Sequence, residues 1–540
     1  MSSVHPQQLF QASKRNWRGV LLVAVILGQG LFAFAVAILL FYRGGVYFLD
    51  AGYYVHALAS ENFGQQPPAI GDAWGSSLYA THMLLTPLFI TQFFRLFLNA
   101  PLNFIMFLGL QHLVLASAGA LLMMVSFSLN EVKKQKLWMP GILGALLLPF
   151  SNIGLGSLLY PHVEVIGTSL VAIGILLLVL RWSGSDNKWI LATAISVIVF
   201  GLLAREDIGV HLFITVASAV VCSQWKLFGR KGVRRAGALL LAGFLMTSLL
   251  MGYQRFFAES EGVFALTYSG TPAYAHITSI WYLLDRALHM LASRPDLIIG
   301  LAAFVMAAVV LRKREYLAFP LAVAPWLLLN LTAIDPAKNA MGIYHLFPII
   351  LYATAPVLAL RLSPKESVEE EPAEQRGPVP MYATYGVAVI SLFLGGIAAP
   401  PMGGGYLFTS ILRLPPIGPQ EIKATHSVIE EFASIGSRIT VDDAVMSLRP
   451  VELGEVPLIP TVSEPDAYDS ALLFSNYLLG HAGVRSLIDA WIVSNRQLKV
   501  TCLPGGMARI DAASAAEEST GQTLEGQFNR VLGCHPMPTK

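Results

Sequence analysis

Charge is what this sequence has least of. Only 13% of its 540 residues are Asp, Glu, Lys or Arg, against roughly 25% in ordinary soluble domains. A soluble chain of this length needs charged surface however large its core, and long stretches here carry none, so a single soluble globule is excluded. Neither sign dominates what charge there is. The formal net charge is +2, and the cations are spread along the chain rather than gathered in a patch, which argues against nucleic acid as a partner. Cysteine is nearly absent as well: three are too few for a disulfide framework, and since Cys222 lies in an apolar stretch, Cys502 and Cys534 are the one candidate pair. A cleavable signal is not evident, because the first apolar run, Gly19 to Phe41, is too long and lacks a small-residue cleavage site. No internal repeat is visible.

Apolar residues are abundant. They make up 55% of the chain, the mean hydropathy is +0.59, and windows long enough to cross a bilayer recur along it. They fall at 19–41, 102–128, 138–158, 164–181, 189–204, 207–222, 236–253, 296–311, 316–333, 344–361 and 382–398, which makes eleven expected transmembrane helices. One further run, His82 to Phe97, is apolar but short, with Gln92, Arg95 and a central Pro87. The positive-inside rule decides its placement. With the N-terminus (1–18) in the cytoplasm and 82–97 lying along the membrane, Lys133, Lys134, Lys136, Arg181, Lys188, Arg230, Arg234, Arg235, Arg312, Arg314, Arg361 and Arg376 all face the cytoplasm, whereas a spanning 82–97 would invert that pattern. It is therefore read as a juxtamembrane helix within the outside loop 43–98.

The expected architecture is an all-α polytopic membrane domain, 19–398, followed by a small extracytoplasmic α+β domain at 400–540. The protein is placed in the cell inner (plasma) membrane. The segment 363–380, rich in Pro and Glu, reads as a disordered cytoplasmic linker. In the C-terminal part, 425–432 is helix-like, 438–442 strand-like, and Lys499 to Asp511 reads as a hairpin interrupted by Pro-Gly-Gly at 504–506, with a loose tail beyond Ala512.

Against so little charge, the polar residues assigned to the outside face stand out. Asp50, just after the first span in Leu-Asp-Ala-Gly-Tyr-Tyr, can accept a proton or simply cap a helix. His82 opens the juxtamembrane run and can bind phosphate or only mark the interface. His162 and Glu164, in Tyr-Pro-His-Val-Glu, point to one face of an extended chain, which suits a divalent cation such as Mg or Mn as well as a hydrated loop. Arg205, Glu206 and Asp207 put three charges into the polar break between two spans, where an ion-paired tight turn is the competing reading. Tyr344 and His345 begin the tenth span. Sequence places all of these at one membrane face, so a shared outside cavity is expected.

The same five segments (49–54, 82–87, 160–164, 204–207 and Tyr-His-Leu-Phe-Pro at 344–348) resemble the successive motifs of the domain-of-unknown-function 2079 family of membrane proteins. That family is similar to the glycosyltransferase C superfamily. The resemblance implies a fold of that superfamily and transfer of a sugar from a polyprenyl-phosphate donor to an acceptor on the outer face. It implies Asp50 as the general base, with His82, Arg205, Glu206, Asp207, Tyr344 and His345 binding substrate and membrane lipid holding the donor. The sequence departs from the superfamily in having a single acid rather than adjacent acids at 50, and Pro87 without a second proline. Two other classes fit the same polar residues: a lipid or solute transporter or flippase, and a non-catalytic anchor for the C-terminal domain.

Overall fold

The protein is described from a computed structural model. It describes residues 104–133, 163–182, 187–205, 207–223, 230–256, 279–285, 295–310, 312–332, 348–363, 439–441, 469–474, 482–503, 507–513 and 523–534, together with scattered helical positions in 28–35 and 89–96.

The first part is helical: α1 (Phe104–Lys133), α2 (Val163–Trp182), α3 (Lys188–Leu202), α4 (Ile208–Cys222), α5 (Arg230–Phe256), α6 (Pro295–Val310), a 3-10 turn (Arg314–Leu317), α7 (Ala318–Thr332), α8 (Ile349–Tyr352) and α9 (Ala355–Leu362). These coincide with the expected spans from 102–128 and from 164–181 through 344–361. Two boundaries move. Helix α5 starts at Arg230, not at the apolar boundary 236, because Lys and Arg are good helix formers and extend it into its basic flank. The last of these spans is divided into α8 and α9, because Pro356 has no N–H to continue the ladder. The expected spans 138–158 and 382–398, the linker 363–380 and the helix at 425–432 lie outside the described residues, as do nearly all of 19–41 and 82–97.

Helix α2 is buried almost all round and forms the axis of the bundle, with α1, α3 and the α8–α9 segment packed against it. Small residues allow the closest approaches. A Cβ on Gly201 of α3 would lie 2.6 Å from the Gly167 carbonyl oxygen of α2, and one on Gly209 of α4 would lie 2.7 Å from the Gly243 carbonyl oxygen of α5. Backbones can meet this closely only where side chains are missing, the packing mode of helices in lipid. Phe304 and Phe319 stack at 4.5 Å to join α6 to α7.

The outward surface is apolar. On α5, Leu241, Leu245 and Leu249 are exposed in one stripe with Phe244 beside them, and Trp189, Ile195, Val309 and Leu328 are exposed on other helices. Such a surface is stable against hydrocarbon and not against water. Among the described residues, Val163–Trp182 and Lys231–Leu250 are individually long and apolar enough to cross a membrane, while Gly109–Leu122, Lys188–Leu202, Ile208–Cys222 and Ile349–Leu362 are shorter apolar helices.

The C-terminal part is α+β. Strands β1 (Ile439–Val441), β2 (Ser470–Phe474), β3 (Gln497–Leu503) and β4 (Met507–Ala513) form one sheet in the order β1-β2-β4-β3. The first pair is parallel, and β3 and β4 form the expected hairpin. Helices α10 (Ala482–Val493) and α11 (Leu524–Leu532) add Trp491, Leu487, Ile488 and Val531 to Leu498, Ala508 and Ile510 of the sheet in a separate core. The tail is not loose throughout. Thr523 caps α11 by accepting from the Gly526 N–H at 3.1 Å, and Cys534 at its far end is disulfide-bonded to Cys502 of β3, with Cα atoms 4.9 Å apart.

Candidate functional site

The turn between α3 and α4 is where the chain spends its charge. After Leu202 the helix unwinds through Leu203 and Ala204, Arg205 follows, and Asp207 starts α4. Asp is a favoured helix cap, yet the Asp207 side chain makes no capping hydrogen bond here. Its carboxylate turns to two cationic or polar neighbours instead. Oδ1 lies 3.5 Å from Arg205 Nε, and Oδ2 lies 3.7 Å from Nε2 of His211, one helical turn on.

Arg205 also reaches across the bundle. Its guanidinium forms an ion pair with the carboxylate of Glu164, in the first turn of α2, and the Glu164 side chain is 4% exposed. A carboxylate this deep would be expelled unless paired, so the guanidinium is what allows Glu164 to sit there. The competing sequence reading, a purely local ion pair in a tight turn, holds for Arg205 and Asp207 but not for Glu164, which comes from a different helix.

The chain of polar groups continues inward. His211 is buried on α4, its Nδ1 is 2.9 Å from the Tyr352 hydroxyl at the end of α8, and its ring lies 4.3 Å from that of Trp326 on α7. Its two ring nitrogens therefore face a carboxylate on one side and a phenol hydroxyl on the other. Five side chains from three helices and the α3–α4 turn are therefore linked: Glu164, Arg205, Asp207, His211 and Tyr352. A proline stands near each contact: Pro325 precedes Trp326 inside α7, and Pro356, in the first turn of α9, follows Tyr352. Pro325 lacks the N–H for a hydrogen bond inside α7, and Pro356 marks the break between α8 and α9.

Of the residues selected from sequence, the structure brings together Glu164, Arg205 and Asp207. Asp50, His82, His162, Glu206, Tyr344 and His345 lie outside the described residues. His211, Tyr352 and Trp326 were not selected. The one signal for His211 is its spacing, four residues after Asp207 on an otherwise apolar helix; Tyr352 and Trp326 have none, since aromatics in apolar helices are ordinarily packing residues.

The described groups do not fit a metal ion. Glu164 faces a guanidinium, which already supplies the positive charge, and no group of three His, Cys, Asp or Glu side chains suited to a metal occurs among the described residues. Two carboxylates share one guanidinium here, so this part of the site is rich in acceptors. It is suited to accepting hydrogen bonds from hydroxyls and to holding a cation such as an ammonium.

No family model matches the chain, so the resemblance to the domain-of-unknown-function 2079 family gains no support from that comparison, and no curated protein matches it. Among solved structures the chain is similar to ArnT from Cupriavidus metallidurans bound to undecaprenyl phosphate, with a TM-score of 0.43 and 13% identity over 92% of this chain and 99% of that one. It is similar also to the same protein in the apo state, with a TM-score of 0.44 and 12% identity over the same shares. Likenesses of this strength do not themselves establish a common fold.

Proposed function

We propose that the protein is a membrane glycosyltransferase of the glycosyltransferase C type, moving a sugar from a polyprenyl phosphate to an acceptor at the outer face. The carrying observation is the linked group Glu164–Arg205–Asp207 at one end of an apolar bundle, assembled from two of the segments that carry the sequence resemblance. In this reading Asp50 takes the proton of an acceptor hydroxyl, and that oxygen attacks the anomeric carbon. The bond from that carbon to the phosphate oxygen then breaks, and the polyprenyl phosphate leaves with the electron pair. In this reading Glu164 and Asp207 accept hydrogen bonds from sugar or acceptor hydroxyls. Neutralising the donor phosphate then falls to Arg205 together with His82 and His345.

A second reading is favoured by a specific feature. Prolines interrupting helices beside a buried polar chain are what a transport pathway uses, and Pro325 and Pro356 stand there. One experiment separates the two. Purified protein is incubated with labelled polyprenyl-phosphate sugars and lipid acceptors, and in parallel reconstituted in liposomes to follow movement of the same lipids between leaflets. The glycosyltransferase reading expects labelled acceptor, and a loss of about a hundredfold or more in Asp50→Asn. Leaflet exchange without transfer, or full transfer activity in Asp50→Asn, overturns it.

A further inference from the structure

His211 is too deep to meet a ligand, yet it stands one side chain away from groups that can. Its side chain is 3% exposed, against 14% for Arg205 and 25% for Asp207. A ligand at the α3–α4 turn therefore meets Arg205 and Asp207, and the imidazole can act on it only through them.

Burying an imidazole costs free energy unless its nitrogens find partners. Here Nδ1 is hydrogen-bonded to the Tyr352 hydroxyl at 2.9 Å, and Nε2 faces the Asp207 carboxylate at 3.7 Å. The ring is held in angle as well. Trp326 lies at 4.3 Å, tilted by 51°, and the Tyr352 ring stands edge-on at 5.9 Å. The segments on either side are fixed too: all four residues of α8 are buried, and on α4 the Thr215 hydroxyl donates to the His211 carbonyl at 2.8 Å. A side chain locked in this way is a rigid support for whatever it touches next.

A histidine that only joined α4 to α8 would need the bond to Tyr352 alone. The contact with Asp207 is additional. Asp207 stands where an aspartate ordinarily caps its helix, and it makes no capping bond. One of its oxygens faces the His211 ring, and the other lies 3.5 Å from Arg205 Nε. The Arg205 guanidinium is thus gripped by Asp207 of its own turn and by Glu164 of α2. A guanidinium binds an anion through a planar fork, so its orientation decides how many of its N–H groups reach the ligand.

We propose that His211 is a positioning residue for Arg205: anchored by Tyr352, it fixes the Asp207 carboxylate, which in turn aims the Arg205 guanidinium at the anionic group of the ligand. That group, on the glycosyltransferase reading on which this inference rests, is the phosphate of the polyprenyl donor. The aim of the guanidinium is a property of the protein and can be measured apart from the reaction.

The test uses the full chain purified in detergent, with its arginines isotope-labelled at Nε for magnetic resonance, and Arg205→Lys identifies the Arg205 signal by its loss. Tyr352→Phe removes one oxygen and keeps the ring packed on His211. It is expected to move the Arg205 signal, as is His211→Phe, whereas His211→Gln, which can still offer an N–H to Asp207, should hold the signal nearer its original place. Tyr316→Phe, which removes an equally buried tyrosine hydroxyl from the 3-10 turn before α7, should leave it unmoved. In the transfer assay Tyr352→Phe should raise the donor KM about fivefold while kcat falls less than about twofold, because a misaimed guanidinium weakens binding whereas a loss of folded protein lowers kcat alone. An Arg205 signal unmoved in both Tyr352→Phe and His211→Phe overturns the proposal, and so does a Tyr352→Phe variant that loses kcat with KM unchanged. A parent protein that transfers no sugar defeats the glycosyltransferase reading instead, and the resonance then decides by itself whether His211 aims Arg205.

Discussion

Among the described residues, Arg205 is the cation paired with the nearly buried carboxylate of Glu164. Removing it strands Glu164 in an apolar surrounding, whereas removing both members leaves no charge to strand, so the two changes should be strongly non-additive. Arg205→Met is expected to lower stability by about 3–5 kcal/mol, and Glu164→Gln added to it should restore a large part. Denaturation in mild detergent of both single variants and the double one measures this; additive losses would mean that the pair is not coupled as the geometry has it. The same argument separates structure from chemistry at this position, because a loss of activity in Arg205→Met says nothing about phosphate binding unless the double variant folds and remains inactive. At this scale the sequence was readable where charge is rare. Arg205 and Asp207 stand out in a chain that avoids charge, and Glu164 stands out beside Pro161 and His162. His211 does not, because a lone histidine on an apolar helix is ordinarily packed, and only the approach of Tyr352 from 141 residues away shows that it is hydrogen-bonded.

Whether two helices approach closely or stand apart is decided by residues that composition treats alike. Gly201 and Gly237 are both helical glycines, yet a Cβ on the first meets the Gly167 carbonyl oxygen at 2.6 Å and one on the second meets nothing within 4 Å. Gly201→Leu is therefore expected to push α2 and α3 apart at a cost of about 1–3 kcal/mol or more, while Gly237→Ala should gain about 0.5–1 kcal/mol from helix propensity. Thermal unfolding of the two variants tests the contrast, and equal stability of Gly201→Leu and the parent protein would exclude the close α2–α3 contact. Apolar run length located the described helices α1 to α9 because apolar residues run along most of their length, and the strand-like runs located β1 and the β3–β4 hairpin. Helix α11 was missed for a physical reason. It is nine residues long and half polar, giving, among its described side chains, only Leu524 and Val531 to the core beside the Thr523 cap and the cystine. Likewise β2, five residues, has no turn signal that separates it from a loop and is fixed by its ladder to β4.

Across the whole molecule the two ends of the helical bundle differ in kind: Arg181, Arg235, Arg312, Arg314 and Arg361 lie at one end, and the Glu164–Arg205–Asp207 group lies at the other. The C-terminal domain adds an independent constraint on orientation. Its cystine persists only on an oxidising side of the membrane, so the unfolded, unreduced protein should show one reactive thiol, Cys222, and all three cysteines only after reduction. Cations are retained on the cytoplasmic side, which puts the basic end there. The expectation from both is one topology, with residues 183–187 between α2 and α3 inside and Lys540 outside. Paired reporter fusions, one active only in the cytoplasm and one only outside it, placed at 185 and at 540, should give opposite signals. A cytoplasmic signal at 540 would contradict the cystine, and an outside signal at 185 would place the basic end on the wrong side of the membrane. An outside signal at 185 would also turn the Arg205 cluster away from an outer-face acceptor, so this measurement bears on the site as well as on the fold.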